Sequence, residues 1–143
     1  MQNGLYIVAT PIGNLGDLSP RAAETLANAD VIACEDTRIA KKLFALLNIS
    51  TAGKKFIVYQ NYNEEYEAQN IINLAVNDGK SIALVSDAGS PLISDPGYRL
   101  VRKAREQNVF VTVLPGCCAL VCALQLSGLP TNRFLFAGFI PNK

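Results

Sequence analysis

Ile82-Ala83-Leu84-Val85-Ser86-Asp87-Ala88-Gly89-Ser90-Pro91-Leu92-Ile93-Ser94-Asp95-Pro96-Gly97 is the stretch that decides the fold. Its first four residues form a short apolar run, the pattern of a strand buried on both faces. Asp95-Pro96 has the pattern of a helix start, with an aspartate N-cap and proline at the first helical position. A long connection of Gly, Ser and Pro lies between them. Strand, loop and helix in this order make the unit of a parallel sheet, and open parallel sheets bind ligands at the carboxyl ends of their strands. A loop of this composition costs stability unless its shape has a use.

The same alternation runs outward in both directions. Strands are expected at Leu5 to Ala9, Val31 to Cys34, Phe56 to Tyr59 and Val109 to Leu114. Ser19-Pro20 starts a helix with Leu18, Ala22, Leu26 and Ala29 on one face, and Thr37 to Leu47 forms a second with Ala40, Leu43, Phe44 and Leu47 inward. Asn63 is expected to cap a longer helix, with Glu64 and Glu65 at its positive end and Ala68, Ile71, Ile72 and Ala75 as its core stripe. Further helices run from Pro96 to Gln107 and from Cys117 to Leu126, and Arg133 to Ile140 has the pattern of a sixth strand. The implied class is α/β: a mostly parallel five-stranded sheet flanked by helices. Residues 1–116 form the expected domain, and residues 117–143 are expected to lead, as helix and strand, into a second domain.

Composition narrows the chemistry. Half of the 143 residues are hydrophobic and 17% are charged, as in a folded domain. A net charge of +1 argues against tight, charge-driven binding to duplex nucleic acid by this segment alone. Histidine is absent, which removes Ser-His-Asp and Cys-His hydrolysis and every His-ligated metal site. Cys34, Cys117, Cys118 and Cys122 make no CxxC pair, so no metal is expected, and the cysteines are expected to serve as small apolar fillers. The first residues lack the basic stretch and apolar run of a signal peptide, so none is expected. The most apolar segment, Val109 to Leu129, is cut by Pro115-Gly116 into pieces well short of the ~20 residues a membrane span needs. The expectation is a soluble, cytoplasmic protein without a membrane partner.

Three loops leave the carboxyl ends of strands: Thr10 to Asp17, Ser86 to Pro96, and Pro115 to Ala119. If the first, fourth and fifth strands are neighbours, all three converge on one crevice of a size for a nucleoside-like ligand. Gly13-x-x-Gly16 matches a dinucleotide fingerprint only in part, although Glu35-Asp36 follows where a ribose-binding carboxylate would lie. Asp36 is equally placed to cap the helix beginning at Thr37. No Walker A sequence occurs. Arg99, Arg102, Lys103 and Arg105 crowd one helix, as a solvated face or as phosphate contacts. A Rossmann-like oxidoreductase and a dimerising domain without a competent site remain alternatives at this point.

Taken together, Tyr6 to Asp17, Cys34-Glu35-Asp36-Thr37-Arg38 and Ser86 to Gly97 resemble the tetrapyrrole-methylase superfamily of S-adenosylmethionine-dependent methyltransferases. The porphyrinoid enzymes of that family carry a GDP-type triplet where this chain has Gly89-Ser90-Pro91, and a Gly-rich first loop where it has Pro11-Ile12-Gly13. These departures favour a branch that methylates the ribose 2′-oxygen of a cytidine in small-subunit ribosomal RNA; porphyrinoid methylation is the alternative. The resemblance implies two α/β domains with the donor, S-adenosyl-L-methionine, between them, and a homodimer. This chain would then be the N-terminal half, binding the donor weakly and inactive alone. By position, the donor set would be Pro11, Ile12, Gly13, Ala88, Gly89, Ser90, Ile93, Ser94, Cys118 and Ala119. Methyl transfer to a hydroxyl benefits from a base. Without histidine, the candidates are Glu35 and Asp36, then Asp87, with Asn14, Thr37 and Arg38 on the substrate side.

Overall fold

The computed structural model describes residues Met1–Asn142. In chain order the elements are β1 (Gly4–Val8), α1 (Pro20–Asn28), β2 (Val31–Cys34), α2 (Thr37–Leu46), β3 (Lys55–Val58), α3 (Glu64–Asn77), β4 (Ser81–Leu84), α4 (Tyr98–Glu106), β5 (Val111–Leu114) and α5 (Ala119–Leu126); a single 3-10 turn, Leu15–Asp17, follows β1. The strands form one parallel sheet in the order β3-β2-β4-β1-β5. β4 is thus inserted between β2 and β1, and β1, β4 and β5 lie side by side. The register places Leu5 opposite Ile82 and Val111, and Ile7 opposite Leu84 and Val113.

The two-residue period of the strands sorts their side chains onto two faces. Leu5, Val31, Ala33, Ile82 and Leu84 point to one face and pack with Ala68, Ile71, Ile72 and Ala75 of α3 and with Leu100 and Ala104 of α4. Tyr6, Val8, Ile32, Cys34, Ala83 and Val85 point to the other and meet Ala22 and Leu26 of α1 and Ala40 and Phe44 of α2. The first two crossovers run over one face and the next two over the other. The direction of travel reverses between β1 and β4, which makes their carboxyl ends the switch point of the sheet. At the opposite edge, the Asp30 carboxylate accepts from Ser81 N (2.9 Å) and Ser81 Oγ (2.7 Å), tying the start of β2 to that of β4. Those bonds hold the Asp30 carboxyl below its usual range.

Several expectations need correction. The helix after β4 does not begin at Asp95-Pro96: it starts at Tyr98 with Gly97 as N-cap. Its first amides are satisfied by a carboxylate from another element, Glu64, so Asp95 is not needed as a cap. Asn63 stands at the N-cap of α3 without a capping side-chain bond; its Oδ1 accepts instead from Gln60 N, closing the preceding turn. Arg133 to Ile140 is not a strand. Among the described residues it has no ladder partner, and Phe134, Leu135, Phe139 and Ile140 are exposed. The last helix begins at Ala119 rather than Cys117. Of the four cysteines only Cys34 is a buried filler; Cys117 and Cys118 are half-buried and Cys122 is exposed. Burial pushes the Cys34 thiol up to about 12, so it stays protonated and unreactive.

The two-faced core makes a graded prediction. Ile82 is fully buried in the central strand, whereas Val113 on the edge strand is 54% exposed. Ile82→Ala is expected to cost about 2–5 kcal/mol in urea unfolding, and Val113→Ala no more than about 0.5 kcal/mol. Similar costs at both positions would contradict the burial pattern.

Candidate functional site

The three loops over β4, β1 and β5 are stitched together by specific bonds. Thr10 N donates to Gly89 O (2.9 Å) and Gly89 N donates to Thr10 O (3.1 Å), an isolated antiparallel bridge between the loop after β1 and the loop after β4. Gly89 adopts φ +81°, and a Cβ there would lie 3.3 Å from Ile12 Cγ2. Both facts call for glycine. The Ser86 hydroxyl lies within hydrogen-bond reach of the Ala88 and Gly89 carbonyls (3.2 and 3.3 Å), which tightens the same turn. Ser90 Oγ donates to Cys117 O (2.8 Å), joining the second loop to the third. The third loop sits hard on β1, since a Cβ at Gly116 would approach Ala9 Cβ to 2.9 Å.

This stitching leaves two recesses. One, of about 220 Å³, is lined by Ile12, the Ala88-Gly89-Ser90 turn, Ile93, Ser94, Asp95, Cys118, Ala119, Leu120 and Phe136. The other, of about 280 Å³, lies between the first loop and α2, with Thr10, Pro11, Gly13, Asn14, Lys42, Leu43 and Asp87 on its walls. The first loop is the partition between them.

A set of carboxylates gathers where β2 and β4 end. Glu35 Oε1 accepts from Asp87 N at 3.0 Å. Gln60 Nε2 donates to Glu35 O at 2.8 Å, so the exits of β2, β3 and β4 are linked. Burial pushes the Glu35 carboxyl up from its ordinary value, against the pull of the Asp87 amide, and the charges of Asp95 and Asp87 add to the rise. Asp87 is raised by burial as well, with Asp36 adding to it through charge and its amide opposing. Asp95 is raised for the same first reason. Asp36 behaves in the opposite way. Its Oδ1 accepts from Arg38 N (2.8 Å) and Arg38 Nε (3.1 Å), and Oδ2 pairs with an Arg38 terminal nitrogen at 2.7 Å. Those bonds hold the Asp36 carboxyl at about 2. Asp36 is thus the N-cap of α2 and an exposed ion pair.

Eight of the ten residues expected around the donor line the smaller recess: Ile12, Ala88, Gly89, Ser90, Ile93, Ser94, Cys118 and Ala119. Pro11 and Gly13 face the other recess, together with Asn14 and Asp87. Glu35, Asp36, Thr37 and Arg38 line neither; Glu35 reaches the second through its bond to Asp87 N, and Asp36 through its amide and charge on the Asp87 carboxyl. Sequence patterning does not reveal Asp95, Leu120 and Phe136 as wall residues: Phe136 lies in an apolar run with the pattern of a strand, and Asp95 precedes a proline as a helix cap would. Nor does patterning reveal Thr10, whose backbone makes the bridge. The basic residues of α4 are partly neutralised: Arg99 pairs with Glu65, and Arg102 Nε with Glu106 at 2.8 Å. Among the described residues no three Cys, Asp or Glu side chains are grouped to hold a metal ion.

A family model described as Tetrapyrrole (Corrin/Porphyrin) Methylases matches residues 4–140. The chain belongs to this family. It is 54% identical, over 97% of its length, to the ribosomal RNA small subunit methyltransferase I of Vibrio cholerae, covering 47% of that protein. It is 50% identical, over 99% of its length, to the protein of the same name from Rickettsia prowazekii, covering 49% of it. The chain therefore spans about half the length of the curated relatives it matches. Among solved structures, the uroporphyrin-III-C-methyltransferase of Thermus thermophilus superimposes with a TM-score of 0.65 at 23% identity, over 92% of this chain and 55% of that one. The methyltransferase CobJ gives 0.69 at 18% identity, over 92% and 53%. At such identities the likeness to these methyltransferases is one of fold.

The Asp36–Arg38 pair gives a test with a definite sign. Asp36 is depressed from an ordinary value near ~3.9 to about 2. Its contribution is therefore present above the unfolded-state value and lost as pH falls through about 2, while Arg38 stays charged. Asp36→Asn, which keeps a capping oxygen but not the charge, is expected to lower the urea midpoint at neutral pH. The gap from the wild type should close between about pH 4 and pH 2 and narrow in high salt. A gap independent of pH would contradict the ion pair.

Proposed function

We propose that this chain is the donor-binding half of an S-adenosylmethionine-dependent methyltransferase acting on the ribose 2′-oxygen of a cytidine in small-subunit ribosomal RNA. The observation that carries the proposal is the identity of about half, along nearly all of this chain, with relatives named ribosomal RNA small subunit methyltransferase I; the ribose position is the one the family resemblance of the three loops implies. The stitched crevice at the switch point of the sheet supports it from the physical side.

The residues present suit such a donor. The smaller recess offers small and apolar side chains with backbone groups between them, and the Gly89 cradle would be filled by a Cβ. Its volume, about 220 Å³, is below the roughly 300–1,000 Å³ of a complete small-molecule site. That supports a site finished by chain outside these residues. When bound, the donor supplies an electrophilic methyl group on a sulfonium. The protein's task is alignment of the acceptor and exclusion of water. Ile12, Gly89, Ser90, Ile93, Ser94, Cys118 and Ala119 would hold the donor. Pro11, Gly13 and Asn14 would face the acceptor across the partition of the first loop.

For the base, electrostatics separates the three carboxylates. Asp36 at about 2 is the weakest proton acceptor and is occupied by Arg38. Glu35 and Asp87 are both raised, hence better bases. Asp87 lines the acceptor-side recess, and Glu35 accepts its backbone N–H. We assign Asp87 as the proton acceptor, Glu35 as the group that orients it, and Asp36, Thr37 and Arg38 as the shaped start of α2 beside them. The proposal includes a homodimer in the cytoplasm, and among the described residues no helix is long and apolar enough to cross a membrane. It also includes a division near residue 116, supported by α5 burying no side chain while α1 to α4 each do.

The test uses the full-length protein with a methyl-labelled donor and small-subunit ribosomal RNA lacking the modification. Nucleoside digestion should recover the label as 2′-O-methylcytidine. Asp87→Asn should lower kcat by about a hundredfold or more with little change in donor affinity, and Asp36→Asn should have a much smaller effect. Label on a base, label on a porphyrinoid acceptor alone, or an unimpaired Asp87→Asn enzyme would overturn the respective assignment.

A further inference from the structure

Glu64 is the one buried Asp or Glu among the described residues. It is the first residue of α3, on a different element from any wall of the two recesses. Its Oε1 accepts three hydrogen bonds: from the Tyr59 hydroxyl (3.0 Å), from Gly97 N (3.1 Å) and from Arg99 N (3.0 Å). The Arg99 guanidinium does not neutralise it, being turned to Glu65 on the surface. A buried carboxylate is costly unless its lone pairs are filled. Here the filling comes from a buried hydroxyl and the amides at the positive end of α4.

Those amides close the Ser86–Gly97 loop. The loop is therefore held at its near end by Asp87 N on Glu35, by the Gly89 bridge to Thr10 and by Ser90 Oγ on Cys117 O, and at its far end, Gly97, by Glu64. Leu92 at φ +71° and Ser94 at φ +57° lie between, both in the left-handed region and neither of them glycine. Such conformations persist only when their surroundings impose them. Ile93 and Ser94, which line the smaller recess, belong to this imposed stretch.

We propose that Glu64 is a positioning residue for the methyl donor: held off the recess, it clamps the far end of the loop and so keeps Ile93 and Ser94 in their wall positions. Tyr59 is its partner, delivering a hydroxyl from the end of β3. The assignment rests on the donor reading of the recess. It predicts that donor affinity, rather than the chemical step, depends on a carboxylate that never touches the donor.

The test takes the full-length protein with Glu64→Ala, Glu64→Gln and Tyr59→Phe. In donor-free protein, Glu64→Ala should speed amide exchange in the 92–99 stretch while β1, β2 and β4 keep their protection. Calorimetry with S-adenosylhomocysteine should show affinity lowered by about tenfold, the size of a lost charge-assisted hydrogen bond, and partly restored in Glu64→Gln, which keeps an acceptor oxygen. KM for the donor should rise while kcat at saturation stays within about threefold. Unchanged exchange and affinity in the alanine variant would overturn the proposal. So would acceleration spread evenly over the strands, the sign of a merely structural role. If Glu64→Ala does not fold, the near-isosteric Glu64→Gln and Tyr59→Phe decide by the same readouts. A wild-type protein that binds no donor analogue refutes the donor reading itself, and exchange in the 92–99 stretch then reports on the clamp separately.

Discussion

Two backbone hydrogen bonds between Thr10 and Gly89 hold together loops that the topology sends apart. The loop after β1 leads to a helix on one face of the sheet and the loop after β4 to a helix on the other, so a crevice must open between them. The bridge spans that crevice without filling it. Because it uses only main-chain groups, it leaves the neighbouring side chains free to line the recesses on either side. It requires glycine at residue 89, where the backbone turns left-handed against Ile12. The partition between the two recesses, the contact with the third loop through Ser90, and the place of Asp87 on the wall of the second recess all follow from this one junction.

The electrostatics at this edge follow from the same packing. Carboxylates gather where β2 and β4 stop, and burial raises three of them: Glu35, Asp87 and Asp95. Asp36 escapes because the forked guanidinium and the backbone amide of Arg38 bond its carboxylate. One cluster thus contains groups pushed in opposite directions, the condition under which neighbouring acids take different roles. Glu64 extends the pattern away from the recess: its charge is spent on main-chain amides, and through them on the shape of a loop.

Much of this was legible in the chain itself. β2 was expected at Val31 to Cys34 and is found there, and the stripe Ala68, Ile71, Ile72 and Ala75 is wholly buried. Local periodicity suffices for such elements because each must hide one face. The long Ser86–Gly97 loop stood out by its composition, and its residues line both recesses. Asp95-Pro96 misled because the acceptor that caps α4 is 33 residues distant in sequence. Arg133 to Ile140 misled because an apolar run has strand propensity without having a partner, and pairing is not a local property.

The sequence by itself determined the succession along the chain of the five paired strands and the helices between them, the α/β class and the membership in a methylase family, since these depend on short-range patterning and on motifs carried by consecutive residues. Only the tertiary structure decided the strand order, because strands apolar on both faces carry no label for their neighbours. It alone divided the expected donor residues, placing Ile12 on one side of the first loop and Pro11 and Gly13 on the other. It alone also ranked the acids: proton affinity is set by burial and by partners brought from distant parts of the chain, and no spacing along a sequence encodes either.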